Sequence, residues 1–327
     1  MLECEIEHDG EFEFLHPKNQ CSRVECSHFA ICSRYEDKKI SGILPIAKSI
    51  LDSFGLDWQL PGHGKQYDDC GDWRYRGCKN VEGHVQNELD QNVEGKIYVE
   101  WYHRSCYRAE CPVCYEKWAG LEASKIEHRL KHLWKNGKVI HVAVSPSEKD
   151  VLNIPFDKLR KKAYRVVKKR GILGGSMIWH PFRELDNGTW YFSPHFHILG
   201  FVWVRNVAEE FKKDCWLVKN IQDGKQERSV FRTAMYQLSH CGLDSNKKHR
   251  PVSWFGVCST AGKNHAFVPP MEKEKHVCPC CGDELVQLLY FGLDEKLPDL
   301  VEGGSAWFEP DDWIEKEASS RESWSSY

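Results

Sequence analysis

The chain has 327 residues, of which 41% are hydrophobic, so it is long enough for one large domain or two modest ones with packed cores. Its acidic first residues do not resemble a secretory signal and no apolar run approaches a membrane span, so we expect a cytoplasmic protein. The formal net charge of −3 is uneven, because residues 294–327 hold ten acidic against three basic residues and leave about +4 on residues 1–293.

Clustered cysteines are the first feature along the chain that indicates chemistry. Fifteen cysteines in a reducing compartment favour metal sites over disulfides. Cys111 and Cys114 have the Cys-x-x-Cys spacing of a zinc knuckle, and Cys106 supplies a third thiolate for a closed, structural zinc site. The fourth ligand must come from upstream, where the available residues are Cys70, Cys78 and His84. Of these we favour Cys78.

Regular elements, one of them strongly basic, follow this cluster. An apolar stripe predicts a helix at about 116–134, and the apolar run 139–146 predicts a buried strand. Residues 158–170 predict an amphipathic helix with eight basic residues in thirteen. A face of one charge suits a phosphate backbone, so we expect this helix to contact DNA. The residues concerned are Lys161, Lys162, Arg165, Lys168 and Lys169.

The next predicted strand carries two histidines on one face. Residues 191–203 are rich in aromatic and β-branched residues, which is typical of a strand. Because side chains alternate between the two faces, His195 and His197 point the same way and Phe196 points into the core. Two neighbouring imidazoles on one face can share one divalent cation.

The run before this strand is predicted to pair with it and to supply a third ligand. Residues 175–184 are strand-like, and the Asn-Gly pair at 187–188 favours a two-residue hairpin turn. That turn places His180 directly opposite His195, on the same face. If a bulge disturbed the pairing, Glu184 would be the next acidic candidate on that face.

A helix predicted at 229–240, with Ser229 as its N-cap, presents a tyrosine on its polar face. Its apolar face is formed by Phe231, Ala234, Met235 and Leu238. Tyr236 lies about half a turn away from that face, which is not a core position. Arg232 and His240 flank it one turn on either side, and we expect both to contact DNA.

A second zinc knuckle is predicted near the end of the chain. Cys278 and Cys281 have the required spacing, and Cys280 between them is expected either to point elsewhere or to compete as a ligand. The rest of this ligand set stays open, and the available residues are Cys241, Cys258, His265 and His276.

Together these features resemble the HUH endonucleases, and in particular the rolling-circle replication initiators of archaeal plasmids and viruses. The stretch 193–201 looks like their second motif, and the strand at 139–146 resembles their first. Tyr236 is similar to the single tyrosine of their third motif. The cysteines within 105–114 resemble a cluster found ahead of the nuclease core in such proteins. The resemblance covers about residues 70–285.

The resemblance implies an α+β fold with a central antiparallel sheet, flanking helices and small zinc-binding elements. It implies a replication initiator that nicks and rejoins single-stranded origin DNA, with host helicase and polymerase as partners. His195, His197 and His180 would hold Mg²⁺ or Mn²⁺, while Zn²⁺ would be structural. Tyr236 would form a 5′-phosphotyrosine and release a free 3′-OH. An HUH transposase or relaxase, or a non-catalytic zinc-stapled DNA-binding regulator, remain alternatives.

Five consecutive regions follow from this interpretation. They are an N-terminal arm of unknown function (1–69), a zinc-binding element and helix (70–134), the nuclease core (135–250), a zinc-ribbon-like element (251–293) and an acidic, disordered tail (294–327).

Overall fold

The computed structural model describes most of the chain beyond residue 57 and divides it into two compact units. The described ranges are 58–85, 93–133, 139–184, 190–202, 207–221, 229–261, 268–272, 275–292, 297, 300–301 and 303–316. The first unit comprises residues 1–65 and 108–270. The second unit comprises residues 66–107 and 271–327, so its two segments lie far apart in sequence.

The strands of the described residues are short except for two long neighbours. In chain order they are β1 (Trp58–Gln59), β2 (Trp73–Gly77), β3 (Ile97–His103), β4 (Val139–Ser145), β5 (Ile172–Glu184), β6 (Trp190–Val202), β7 (Leu217–Asn220), β8 (Leu243–Asp244), β9 (Val252–Gly256), β10 (Val286–Tyr290), β11 (Ser305–Phe308) and β12 (Trp313–Glu315). Every pairing between them is antiparallel.

The α-helices of the described residues all belong to the first unit. They are α1 (Tyr115–Leu133), α2 (Glu148–Asn153), α3 (Phe156–Lys169), α4 (Val207–Asp214) and α5 (Val230–Leu238). None of them is both long and apolar enough to cross a bilayer. Helices beside antiparallel sheets confirm the predicted mixed α+β class.

A five-stranded sheet with the order β7-β4-β6-β5-β9 organises the first unit. The central strand β6 alternates, so that Phe196 and Ile198 are buried in a core with α3, while Leu199 and Phe201 are buried in a second core with α1 and α5. The sheet therefore has helices on both faces.

The pairing of β5 with β6 determines where the histidines lie. His180 pairs with His195, as predicted. Nearer the turn, the predicted two-residue loop would have paired Glu184 with Tyr191, but Glu184 pairs with Trp190. A bulge between these pairs sets two β6 residues, 193 and 194, against one on β5 and restores the predicted register at His180. The predicted turn at 187–188 lies outside the described residues.

The second unit is built on a sheet with the order β11-β3-β2-β10-β12. Its small core contains Ile97, Val99, Leu288 and Trp313, so both chain segments of the unit contribute. The five consecutive regions expected from the sequence do not anticipate this interleaved arrangement. The predicted disordered tail is wrong for residues 303–316, because β11 and β12 form the two edges of this sheet.

We expect Gly175→Ala to destabilise the first unit, because strands β5 and β6 approach closely at this position. Gly175 pairs with Gly200, and a Cβ there would lie 2.3 Å from the carbonyl oxygen of Leu199. Gly120 in α1 is the matched control, because a Cβ there meets no atom within 4 Å. Gly120→Ala should stabilise the chain by about 0.5–1 kcal/mol through the lower entropy of its unfolded state. Urea-unfolding midpoints that move in the same direction for both variants would contradict this packing.

Candidate metal centre

Three buried histidines converge on one face of the first unit's sheet. His195 and His197 come from β6, and His180 faces them from β5. Each offers a ring nitrogen, and these atoms all lie within 4.8 Å of one another. The strand alternation and the register across the hairpin are the local causes of this convergence. The sequence predicted both, although the register next to the turn differs by one residue.

Hydrogen bonds fix the orientation of His195. Its Nδ1 lies 2.6 Å from the carbonyl oxygen of Ser193. A carbonyl can only accept, so Nδ1 carries the proton and Nε2 keeps its lone pair. This Nε2 lies 3.0 Å from Nε2 of His197. Two nitrogens that bind one metal ion at about 2.1 Å each, with a right angle between the two bonds, are also separated by roughly 3 Å.

His180 is the clearest sign that a ligand belongs in this cluster. Its side chain is wholly buried, and neither ring nitrogen has a hydrogen-bond partner among the described residues. An unsatisfied buried polar group of this kind costs about 1–3 kcal/mol and calls for an explanation. Coordination of a cation by one nitrogen would supply it, so the residues fit a metal ion.

Burial keeps all three imidazoles uncharged. Loss of hydration lowers the pKa of His195 to about 3, and it holds the pKa values of His180 and His197 well below the ordinary value. The neighbouring titratable groups lower them further. Neutral imidazole is the form that binds metals, so no proton has to be displaced at neutral pH.

A fourth histidine, His141 on β4, was not predicted as part of the site. Its Nε2 lies 2.7 Å from Nδ1 of His197. The sequence showed a polar residue at an alternating position of the buried strand 139–146, which was the available signal. The pairing of β4 with β6 puts that position on the histidine face of the sheet, and a strand pattern does not reveal this pairing.

The histidines form part of the wall of a cleft of about 1080 Å³ that also contains Tyr236. The α5 helix holds Tyr236 there, because Ser229 caps its first turn and Ala234 and Leu238 are buried in the second core. Tyr236 is 66% exposed, as its position on the polar face predicted. The other lining residues are Tyr115, Glu116, His141, His180, Phe182, Arg183, Glu184, Trp190, His195, His197, Ile221, Ser229, Arg232, Thr233, Gln237, Ser239 and His240.

His240 connects the tyrosine with the histidine cluster. Its ring centroid lies 4.7 Å from that of Tyr236 and 4.6 Å from that of His180. Burial lowers its pKa to about 4, so it is uncharged near neutral pH. Of the two predicted basic neighbours of Tyr236, Arg232 is therefore the one that brings positive charge. A second cation, Arg183, lines the cleft and was not predicted.

The predicted basic helix is present as α3, but it lies on the other face of the sheet. Its apolar stripe packs in the core with Phe196, whereas the histidines occupy the opposite face. Lys162 forms an ion pair with Asp150, in which its Nζ lies 2.6 Å from the Asp150 carboxylate. The other predicted DNA-binding residues of this helix are exposed: Lys161, Arg165, Lys168 and Lys169. Their contact with DNA stays a prediction, and none of them lines the cleft.

The second zinc knuckle finds its missing ligands within the second unit. Cys278 and Cys281 lie with Cys78 and His84, and these four ligand atoms are all within 4.8 Å of one another. Cys78 Sγ lies 3.4 Å from Cys281 Sγ, and Cys278 Sγ lies 3.3 Å from His84 Nε2. Three thiols and one imidazole form a set compatible with structural zinc. Of the two alternatives expected for Cys280, the structure shows the first: its thiol points elsewhere, towards the carbonyl oxygen of Val85.

The assignment of Cys78 to the first cysteine cluster was therefore wrong. Cys111 and Cys114 of the predicted first knuckle are both buried in the first unit, and the rest of its zinc ligand set stays a prediction. The two cysteines weighed as partners of the second knuckle, Cys241 and Cys258, are buried in the second core of the first unit. His276 is not in the group, and His265 lies outside the described residues.

We expect the purified chain to carry two zinc ions, one at each of the two knuckles. Cys278→Ser should remove about one equivalent and lower stability, because structural zinc is coupled to folding. Cys280→Ser is the matched control within the same knuckle and should keep both ions. Elemental analysis against protein concentration measures the content. Equal loss of zinc in the two variants, or less than half an equivalent in the unaltered chain, would contradict the assignment.

No protein-family model, no curated protein and no solved structure matches the chain. A function for this chain is therefore inferred from the chemistry of the described side chains.

Proposed function

We propose that the first unit nicks and rejoins single-stranded DNA through Tyr236 and thereby initiates rolling-circle replication. One observation carries the proposal: an exposed tyrosine shares a cleft with three buried imidazoles, one of which has no hydrogen-bond partner among the described residues. A tyrosine nucleophile and a histidine-held cation are the two parts that this transesterification needs.

His180, His195 and His197 are the residues that would hold the cation. Bound there, Mg²⁺ or Mn²⁺ would polarise a phosphodiester and neutralise the charge that develops on its oxygens. Imidazole is a softer ligand than the oxygen donors that Mg²⁺ prefers, so the donor set favours Mn²⁺. The cleft-lining carboxylate of Glu184, weighed as a third ligand from the sequence, is not in the cluster.

Tyr236 supplies the nucleophile. Its Oη forms a bond to phosphorus while the bond from phosphorus to the 3′ oxygen breaks, and the released 3′ oxygen takes up a proton. A phenol is a weak acid and must lose its proton for this attack. The ring of His240 packs edge-on against that of Tyr236, but its pKa of about 4 makes it a weak base, so water at the exposed Tyr236 side chain takes the proton. The 5′-phosphotyrosine conserves the bond energy, so a 3′-OH can reverse the reaction and close a circle.

The charge distribution favours a nucleic-acid substrate for this unit. Residues 1–65 and 108–270 contain 35 Lys and Arg against 26 Asp and Glu, a net of +9. The second unit contains 10 against 22, a net of −12, so the chain's overall charge of −3 hides a basic unit. Arg183 and Arg232 bring part of this positive charge into the cleft, where a phosphate would approach.

We expect Tyr236→Phe to bind DNA and metal normally and to form no covalent adduct, because the change removes only the attacking oxygen. The assay incubates a pool of 3′-labelled, single-stranded oligonucleotides of randomised sequence with Mn²⁺ and separates the products on a denaturing gel. The label stays with the protein, because the captured strand is joined through its 5′ phosphate.

The matched control is Tyr115→Phe, which alters the other tyrosine of the cleft and should leave the adduct intact. Loss of the adduct in Tyr115→Phe alone would move the nucleophile to that residue. No adduct with the unaltered chain, despite DNA binding, would favour a regulator that only binds DNA. Sequencing the captured strands would identify the preferred cleavage site.

A second prediction concerns the exposed face of α3. Replacing Lys161, Arg165, Lys168 and Lys169 with Gln should make DNA binding less dependent on salt. The slope of the logarithm of the binding constant against the logarithm of the salt concentration should become shallower by roughly 0.7 for each phosphate that the helix no longer neutralises. Adduct formation at saturating DNA should be unchanged, because these residues lie on the face opposite the cleft. Lys162→Gln is the control, since this side chain is paired with Asp150. An unchanged slope in the fourfold variant would make this face an ordinary solvated surface.

A further inference from the structure

We infer that His141 is a positioning residue that orients His197 for binding a divalent cation. His141 is buried on β4 and lies on the same face of the sheet as the three clustered histidines. Its Nε2 is 2.7 Å from Nδ1 of His197. The inference concerns metal binding and holds whatever reaction the cleft carries out.

The direction of this hydrogen bond follows from the rest of the site. Nε2 of His197 faces Nε2 of His195 at 3.0 Å, so it is the nitrogen that points towards the shared ligand position. A nitrogen that coordinates a cation must keep its lone pair, which leaves the proton of the neutral ring on Nδ1. Nδ1 of His197 therefore donates, and Nε2 of His141 accepts.

His141 thus takes a place that a carboxylate or a carbonyl usually occupies behind a metal-bound histidine. The contrast is visible within the same site, because His195 has the usual arrangement with the carbonyl oxygen of Ser193. A neutral imidazole fixes the tautomer and the ring angle without adding negative charge. The carboxylates that line the cleft, Glu116 and Glu184, are not in the histidine cluster.

If the proposed function holds, a neutral partner behind His197 also affects which substrate the cation binds. A cation held by three neutral imidazoles, with a neutral imidazole behind one of them, keeps its whole charge for an incoming ligand. Such a site suits an anionic group such as a phosphodiester better than a site with carboxylate ligands would.

The test measures binding of Mn²⁺ alone to the full chain, by titration followed by electron paramagnetic resonance. His141→Leu keeps the volume but cannot accept a hydrogen bond, and it should weaken Mn²⁺ binding by roughly 10–100-fold. His141→Gln can accept through its amide oxygen and should recover most of the affinity. Tyr115→Phe, which removes a hydroxyl group from the same cleft, should bind Mn²⁺ like the unaltered chain. Urea midpoints check that each variant is folded.

Equal affinity in His141→Leu and the unaltered chain would overturn the inference and leave the proposed function standing. Equal weakening in His141→Leu and His141→Gln would also overturn it, because the shape of the side chain and not its acceptor would then matter. If the unaltered chain bound no Mn²⁺, a role in orienting a ligand would be refuted. DNA adduct formation, measured separately, would still test the nucleophile.

Discussion

The antiparallel pairing of β5 with β6 is the constraint on which the candidate site depends. A shift of one residue in that register would turn His180 to the other face of the sheet, into the core that contains Phe196. The register holds because both faces of the central strand are buried against different helices, so each residue has one compatible side. A bulge between His180 and Phe182 shifts the register by one residue along the pair of strands.

The same burial that positions the histidines also determines their chemistry. Wholly buried imidazoles lose their hydration and remain uncharged, which prepares them for a metal but leaves His180 without a hydrogen-bond partner among the described residues. A site that is unsatisfied without its ligand gains more from binding it. Tyr236 lies at the other extreme, exposed on α5, where it can meet a large substrate.

Local patterns in the sequence predicted the parts of this site that depend on a single element. Alternation along β6 predicted His195 and His197, and helical periodicity predicted the exposure of Tyr236. Cross-strand register predicted His180, with an error next to the turn that the bulge compensated. His141 and the grouping of Cys78 with Cys278 depend instead on which strands and segments meet across long stretches of chain. Spacing alone carries no information on such contacts, so these residues were missed or misassigned.

The central claim is that His180, His195 and His197 share one divalent cation within the cleft that contains Tyr236. Anomalous X-ray scattering from crystals grown with Mn²⁺, recorded on both sides of the manganese absorption edge, tests it most directly. The account predicts a manganese peak bounded by a ring nitrogen from each of the three histidines. Diffraction that places manganese elsewhere, or leaves this position without a peak in crystals that hold it at other sites, would contradict the account.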